Sequence, residues 1–197
     1  MRSMRRAYVV YCHPVEGSLA SAARDRVLAA LTARCVEIHV ADLYADGFDP
    51  LFDADDHALH RRGADAEARP KVEPYASDLH WCDTLVLVYP TWWSAQPAML
   101  KGWFDRVWTQ GLGAANLGER SKVRNIRRIV VVTTHGSSKL VSSVQGEPGK
   151  RIALRALRAM CHPLARTRWV ALYGLDRSLP DDRHAFLDRV ERAITRL

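Results

Sequence analysis

Apolar positions along this 197-residue chain fall into two periods. Arg6–Cys12 (RAYVVYC), Leu85–Tyr89 and Ile129–Thr134 (IVVVTT) are short and apolar almost without interruption, as strands covered on both faces are. Val36–Val40 alternates Val36, Ile38 and Val40 with Glu37 and His39, the pattern of a strand nearer a sheet edge, and Trp169–Tyr173 supplies a fifth strand. Between the strands the spacing lengthens to that of a helix. Ser18 to about Arg34 sets Ala22, Ala23, Val27, Ala30 and Leu31 on one side. Gln96–Trp108 forms a second helix, with Pro97 admissible in its first turn; Arg151–Cys161 and Asp181–Arg196 form two more. Ala45–Pro74, rich in Asp, Ala, Arg and His, is the least regular stretch and long for a plain connection, as functional lids, partner-contact loops or short helices are.

Strands alternating with helices predict a parallel sheet covered on both faces, α/β in class. Five strands fit the flavodoxin-like, doubly wound order 2-1-3-4-5, and the length suits a single domain over residues 1–197. The 48% hydrophobic and 26% charged composition is that of a globular protein. No apolar run approaches the roughly 20 residues of a membrane helix, so direct membrane insertion is not expected. The basic start runs straight into a strand rather than a signal-peptide core, which points to the cytoplasm. Cys12, Cys35, Cys82 and Cys161 lie far apart without a CxxC pair, as reduced thiols do. His57 and His60 in "DADDHALH" share a helical face but lack a third ligand at any recognised spacing, so no metal site is expected. The net charge of +7 is carried mostly by arginines in mixed-sign company, without a nucleic-acid motif; no nucleic-acid partner is expected, while anionic small molecules remain compatible.

In an open α/β sheet the ligand sits beyond the carboxyl ends of the strands, where strand order reverses. Three loops therefore carry the candidate chemistry. The first, "CHPVEGSLA", turns at Pro14 and Gly17 and delivers Ser18 to a helix start. With His13 it could hold a phosphate on free N–H groups, or Ser18 could simply cap the helix. It matches neither GxGxxG nor GxxxxGK[ST]. The second, Pro90–Gln96, puts Trp92 and Trp93 after a buried strand that Pro90 is expected to end. The two rings could wall a planar ligand, or pack in the core or at a subunit contact. The third, "TTHGSS", could present Thr134, His135 and Gly136 to a ring edge, or be an ordinary turn.

"YPTWWSAQPAMLKGWFDRV", with "DLYADGFDP" and "HPVEGS" before it and "TTHGSS" after it, resembles the flavodoxin-like NAD(P)H:quinone oxidoreductases, the DT-diaphorase group. The similarity runs in order from about Tyr8 to Gly149 and continues beyond that in βα pattern alone. It implies a bound flavin, FMN or FAD, and a homodimer. It also implies NADH or NADPH as co-substrate and a two-step hydride transfer to a quinone-type acceptor. By similarity His13, Gly17 and Ser18 lie at the flavin phosphate; Pro90, Thr91, Trp92, Trp93 and Ser94 lie along the isoalloxazine; Thr134, His135 and Gly136 line its other edge. The resemblance puts Trp93 and His135 closest to the catalytic step. Lys101, Gly102, Trp103 and Phe104 match the family helix as packing and interface residues. Val141 and Pro148 stand near positions where mammalian members carry a Tyr and a His, and Leu19–Ala20 replaces a Phe-Asn, which leaves FMN and FAD both open. Two other roles fit the resemblance: an ancillary regulatory subunit of a potassium-efflux system, and a flavodoxin-type electron carrier, against which the positive charge argues.

Overall fold

The computed structural model describes residues 5–62, 70–108 and 123–197. Five parallel strands, β1 (Arg6–Tyr11), β2 (Glu37–Asp42), β3 (Thr84–Thr91), β4 (Arg128–His135) and β5 (Arg166–Tyr173), form one sheet in the order 2-1-3-4-5. The side-chain alternation of each strand splits the core in two. Tyr8, Val10, Leu85, Leu87, Ile129 and Val131 face one layer, while Ala7, Val9, Val86, Val88, Val130 and Val132 face the other.

The second layer is closed by α1 (Leu19–Thr32) and by the long helix near the end of the chain. α1 is rich in alanine and capped by Ser18, whose Oγ accepts from Ser21 N–H at 3.1 Å, so the helix starts one residue after the hydroxyl. The first layer is joined by α2 (Ala54–Arg62) through Asp56, which accepts from Arg106, and is closed by α3 (Glu73–Trp81), α4 (Ala98–Trp103) and the segment after β4. That segment holds α5 (Lys139–Val144), then α6 (Pro148–Arg151), a π-helical turn (Ile152–Leu157) and α7 (Arg158–Met160). α8 (Pro180–Thr195) returns to pack against α1.

Of the alternatives for Ala45–Pro74, short helices are present: it holds α2 and the start of α3, and residues 63–69 lie outside the described residues, as does the His60 side chain. Two other sequence expectations need correction. The helix after β3 changes to a π-helical turn over Phe104–Trp108, which brings Arg106 inward against Asp56 and Trp108 into the core. Pro90 does not end β3, which continues to Thr91 in register with β4. Val88 offers its carbonyl to Cys12 N–H, so Pro90, two residues on, turns its missing donor toward the same side, where β1 has already stopped. No ladder bond is lost there, and a proline fits. Among the described residues, no helix is long and apolar enough to cross a membrane.

Candidate active site

Beyond the carboxyl ends of β3 and β4 lies an open cleft of about 530 Å³. Its lining comprises Thr91, Trp92, Trp93 and Ser94 on one side and His135, Gly136 and Ser137 on the other, with Ser142, Gln145 and Asp176 completing it.

The Trp side is built by a two-residue turn. Trp92 N–H donates to Ala95 O and Ala95 N–H to Trp92 O, at 3.1 and 3.0 Å. The two residues between them, Trp93 and Ser94, take φ values of 50° and 62°. Turns of this hand ordinarily use Asn-Gly, because side chains are disfavoured at positive φ. Holding two ordinary residues there costs on the order of 1–3 kcal/mol each. The result is a Trp93 ring that is 101% exposed, with Trp92 at 42% beside it. The turn is tied down from behind: Ser94 Oγ donates to Gln145 Oε1 at 2.6 Å, Gly149 N–H to Ser94 O at 3.3 Å, and Gln96 Nε2 to Gly149 O at 2.9 Å.

The opposite side centres on His135, the last residue of β4, only 5% exposed. Its Nε2 lies 3.3 Å from Thr91 Oγ1, which is itself 2.9 Å from Thr133 Oγ1; its Nδ1 lies 3.5 Å from Ser142 Oγ. Tyr173, its register partner on β5, stacks on the imidazole at 4.4 Å. The Tyr173 hydroxyl donates to Glu147, whose other carboxylate oxygen accepts from Lys150 Nζ at 3.0 Å. Burial lowers the His135 pKa, with Glu147 pulling it back up and Lys150 pushing it further down, so the ring is neutral near pH 7. Burial also pushes the Tyr173 phenol up to about 12, reinforced by the Glu147 carboxylate. For Glu147 burial opposes the charge, yet the Tyr173 hydroxyl and the Lys150 ammonium outweigh it and the pKa falls. Gly136 lets the Asp176 carboxylate approach the floor: a Cβ there would stand 2.7 Å from Asp176 Oδ2.

The first loop stands apart. His13, Gly17 and Ser18 do not line the cleft, although the His13 ring lies 6.2 Å from that of Trp92. His13 Nδ1 lies 3.1 Å from both the N–H and the carbonyl oxygen of Val15, so the loop's own backbone engages that side of the ring. Ser18 is the N-cap, and Gly17, at φ 75°, has open space around it. Pro90 and Thr134 pair in register and are buried, turned by strand alternation away from Thr91 and His135. Thus Thr91, Trp92, Trp93, Ser94, His135 and Gly136 come together at the cleft, while Pro90 and Thr134 support it from within the sheet. Sequence reasoning missed Tyr173, Glu147 and Asp176. Tyr173 was recoverable, since it ends a strand that the periodicity did mark; Glu147, at φ 43°, left no local signal.

A doubly wound parallel sheet in the order 2-1-3-4-5, with a polar-edged, aromatic-walled cleft beyond the carboxyl ends of β3 and β4, is a flavodoxin-like architecture. The chain belongs to that family: the family described as a flavodoxin-like fold matches residues 5–196. It is 34% identical over 127 residues to an uncharacterized NAD(P)H oxidoreductase of Escherichia coli (strain K12), YcaK, covering 64% of each chain. It is 28% identical over 158 residues to NAD(P)H dehydrogenase [quinone] 1 of Cavia porcellus, covering 72% of this chain and 58% of that one. The chain thus spans a little under two thirds of the length of these relatives. Among solved structures, the NAD(P)H:quinone oxidoreductase from Methanothermobacter marburgensis superposes with a TM-score of 0.79 at 22% identity, covering 98% of this chain and 96% of that one. An FMN-dependent NADH-azoreductase from Bacillus anthracis, in complex with FMN, superposes at 0.72 and 16% identity, covering 98% and 99%. At these identities the structural likeness establishes the fold.

Proposed function

We propose that this chain is a flavin-dependent NAD(P)H:acceptor oxidoreductase. In this reading it holds FMN or FAD and passes a hydride in two steps from NADH or NADPH to a quinone-type acceptor. The single observation that carries the reading is the strained turn that holds Trp93 wholly in solvent at the mouth of a cleft whose far side is His135–Gly136. A side chain kept exposed against its backbone preference is a wall awaiting a flat ligand. The residues fit a flavin: the cleft is open, the absence of a side chain on Gly136 lets the Asp176 carboxylate close against the floor, and α1 is capped by Ser18, five residues after His13. When bound, the flavin supplies the two-electron chemistry that no side chain here can supply. The names of the relatives support nicotinamide as donor and quinone as acceptor.

In this assignment the chain's own groups bind and orient. Trp92 and Trp93 cover one side of the ring, and His13 with the α1 amides meets the phosphate. His135, held between Thr91 and Ser142, is the neutral donor or acceptor on the opposite edge. Glu147 and Tyr173 behind it fix its ring plane and its protonation state rather than touching the ligand. The test is direct. The purified protein is reconstituted with FMN and with FAD, its spectrum recorded and the bound compound identified by mass spectrometry. A yellow protein that oxidises NADH or NADPH with a quinone is the expected result; one that stays colourless with both flavins refutes the reading.

A further inference from the structure

The free edge of the sheet carries a second concave region that the proposed redox site does not use. β5 ends the strand order on one side, so its outer edge has no strand neighbour among the described residues. Two cavities of about 440 Å³ each run along it, and they share Arg168 and Arg196. The upper one is bounded by Tyr173, Lys139 and Lys150 near the carboxyl end of the strand and by Arg189, Arg192 and Arg196 of α8. The lower one continues past Arg166 and Arg128. Nine different lysines and arginines line the pair, and neither cavity is lined by an aspartate or glutamate.

This concentration of charge is not a by-product of a basic composition. α8 carries both signs, with different partners. Arg189, Arg192 and Arg196 recur at i, i+3 and i+7 toward the β5 edge, while Asp188 and Glu191 turn to Arg26 of α1, at 3.5 and 2.7 Å. These two acids are engaged by Arg26 and do not line either cavity along β5, although they border a smaller one beside Arg192 and Arg196. Two of the nine cations do have acidic partners, Lys150 with Glu147 at 3.0 Å and Arg128 with Asp83 at 3.5 Å; Arg166, Arg168, Arg192 and Arg196 have none among the described residues. The crowding is felt at Arg128, whose pKa burial lowers and to which Arg5, Arg166 and Arg34 add repulsion. Lysine or arginine on an edge strand discourages edge-to-edge pairing. That need explains Arg166 and Arg168 but not cations gathered from α5, α6 and α8 around one concavity. Nor is the edge free to take an added strand: Arg189 donates to the Ala171 carbonyl at 3.1 Å. The lining therefore suits a ligand bound by side chains, of small-molecule size and multiply anionic.

We propose that the trough between the free edge of β5 and α8 binds a small ligand carrying two or more phosphoryl groups. Guanidinium forks from a helix stripe and from a strand, on opposite walls, meet non-esterified phosphate oxygens at several angles, which one helix terminus cannot do. The same chemistry is offered by a free oligophosphate and by the phosphate-bearing half of NADPH.

The test uses inorganic tripolyphosphate as probe, titrated calorimetrically into the purified full chain at physiological ionic strength. One saturable site is expected. Exchanging Arg192→Glu and Arg196→Glu together should weaken it by about 100-fold, the scale of losing two charge-assisted contacts. Arg151→Glu with Arg155→Glu removes the same charge from exposed positions outside both cavities and should change affinity by less than about threefold. If the α8 exchange disturbs folding by circular dichroism, Lys139→Gln with Arg168→Gln tests the other wall and should weaken binding as well. Absence of saturable binding, or equal weakening by the charge-matched control, overturns the site and leaves only a guarded edge. Tighter binding of a single-stranded oligonucleotide through the same arginines overturns it in favour of nucleic acid. The source of the phosphate is read separately, on the proposed redox activity. A raised KM for NADPH with KM for NADH unchanged assigns it to the co-substrate, and both KM values unchanged assign a free oligophosphate. The calorimetry needs no turnover, so failure of the redox reading and failure of this one are distinguishable.

Discussion

Trp93 sits where an L-residue is strained, with no packing of its own in the chain to offset the cost. Trp93→Gly should therefore stabilise the protein by about 1 kcal/mol, read as a raised midpoint in urea, while flavin retention and acceptor turnover fall. A rise in stability without loss of flavin would show that the ring does not serve the ligand. His135 makes a separate prediction through its protonation. Burial lowers its pKa below the ordinary 6.5, so near that pH the unfolded chain binds more protons than the folded one. Stability should hold above pH 6.5, fall as pH drops through the window down to the folded pKa, and level off below it. Glu147 adds a second loss at lower pH, because its folded pKa lies below the ordinary 4.5. His135→Gln should abolish the upper slope and keep the lower one in pH-dependent urea titrations; an unchanged upper slope would assign it elsewhere. The residues of the cleft were legible where a strand ended in turn chemistry, as at Trp92–Ser94 and His135–Gly136. Glu147 and Asp176 were not, because tertiary packing alone brings them to β4.

At the scale of elements, the helix after β3 shows why a residue pattern can be plain while its purpose is not. "LKGWFDRV" reads as an amphipathic helix, and its Trp103 and Phe104 are indeed enclosed by this chain's own core. Gly102 and Arg106, four residues apart, do something the period does not reveal: they clasp the segment between β2 and α2. A Cβ on Gly102 would overlap the Pro50 backbone. Arg106, 7% exposed, donates from Nε to Asp56 Oδ2 at 2.7 Å and from a terminal nitrogen to the Asp49 carbonyl at 2.5 Å. The π-helical turn at Phe104–Trp108 belongs to this arrangement and could not be read from spacing that assumes 3.6 residues per turn. Gly102→Ala should cost about 3 kcal/mol or more, since the obstacle is backbone and cannot swing aside. Asp56→Ala, which takes the buried carboxylate from the Arg106 guanidinium and leaves it Asp49, should cost about 2–3 kcal/mol. Both are measurable by chemical denaturation; a loss under 1 kcal/mol in either would mean the clasp is not made in solution. The five strands and their order were readable because continuous apolar runs mark buried parallel strands. α3 and α5 escaped notice because α3 opens on a proline with few apolar positions and α5 keeps one buried residue in six.

For the whole molecule the open question is what covers the cleft. Hydride transfer is protected when water is excluded, yet Trp93 is fully in solvent and the wall beside it is apolar and bare. On α5, Leu140, Val141 and Val144 are 76%, 45% and 82% exposed, while Ser142 and Gln145 of the same segment line the cleft. An apolar rim of this kind next to a ligand site is the mark of a surface meant to be covered, and a second copy of this chain, which carries the same apolar rim, would supply that cover. We expect a homodimer in solution whose contact includes α5. Leu140→Asp with Val144→Asp places two carboxylates in that contact and should weaken self-association by at least about 100-fold, the cost of burying charge without a partner. The fold should survive, since neither side chain packs in the core. Sedimentation velocity across a range of concentrations separates the outcomes. A parent that sediments as a single chain at every concentration excludes the dimer. A variant that stays dimeric moves the contact away from α5, and the cleft would then need another cover. If the variant becomes monomeric and retains flavin but reoxidises faster in air than the parent, the second copy serves chiefly to keep solvent and oxygen from the reduced site.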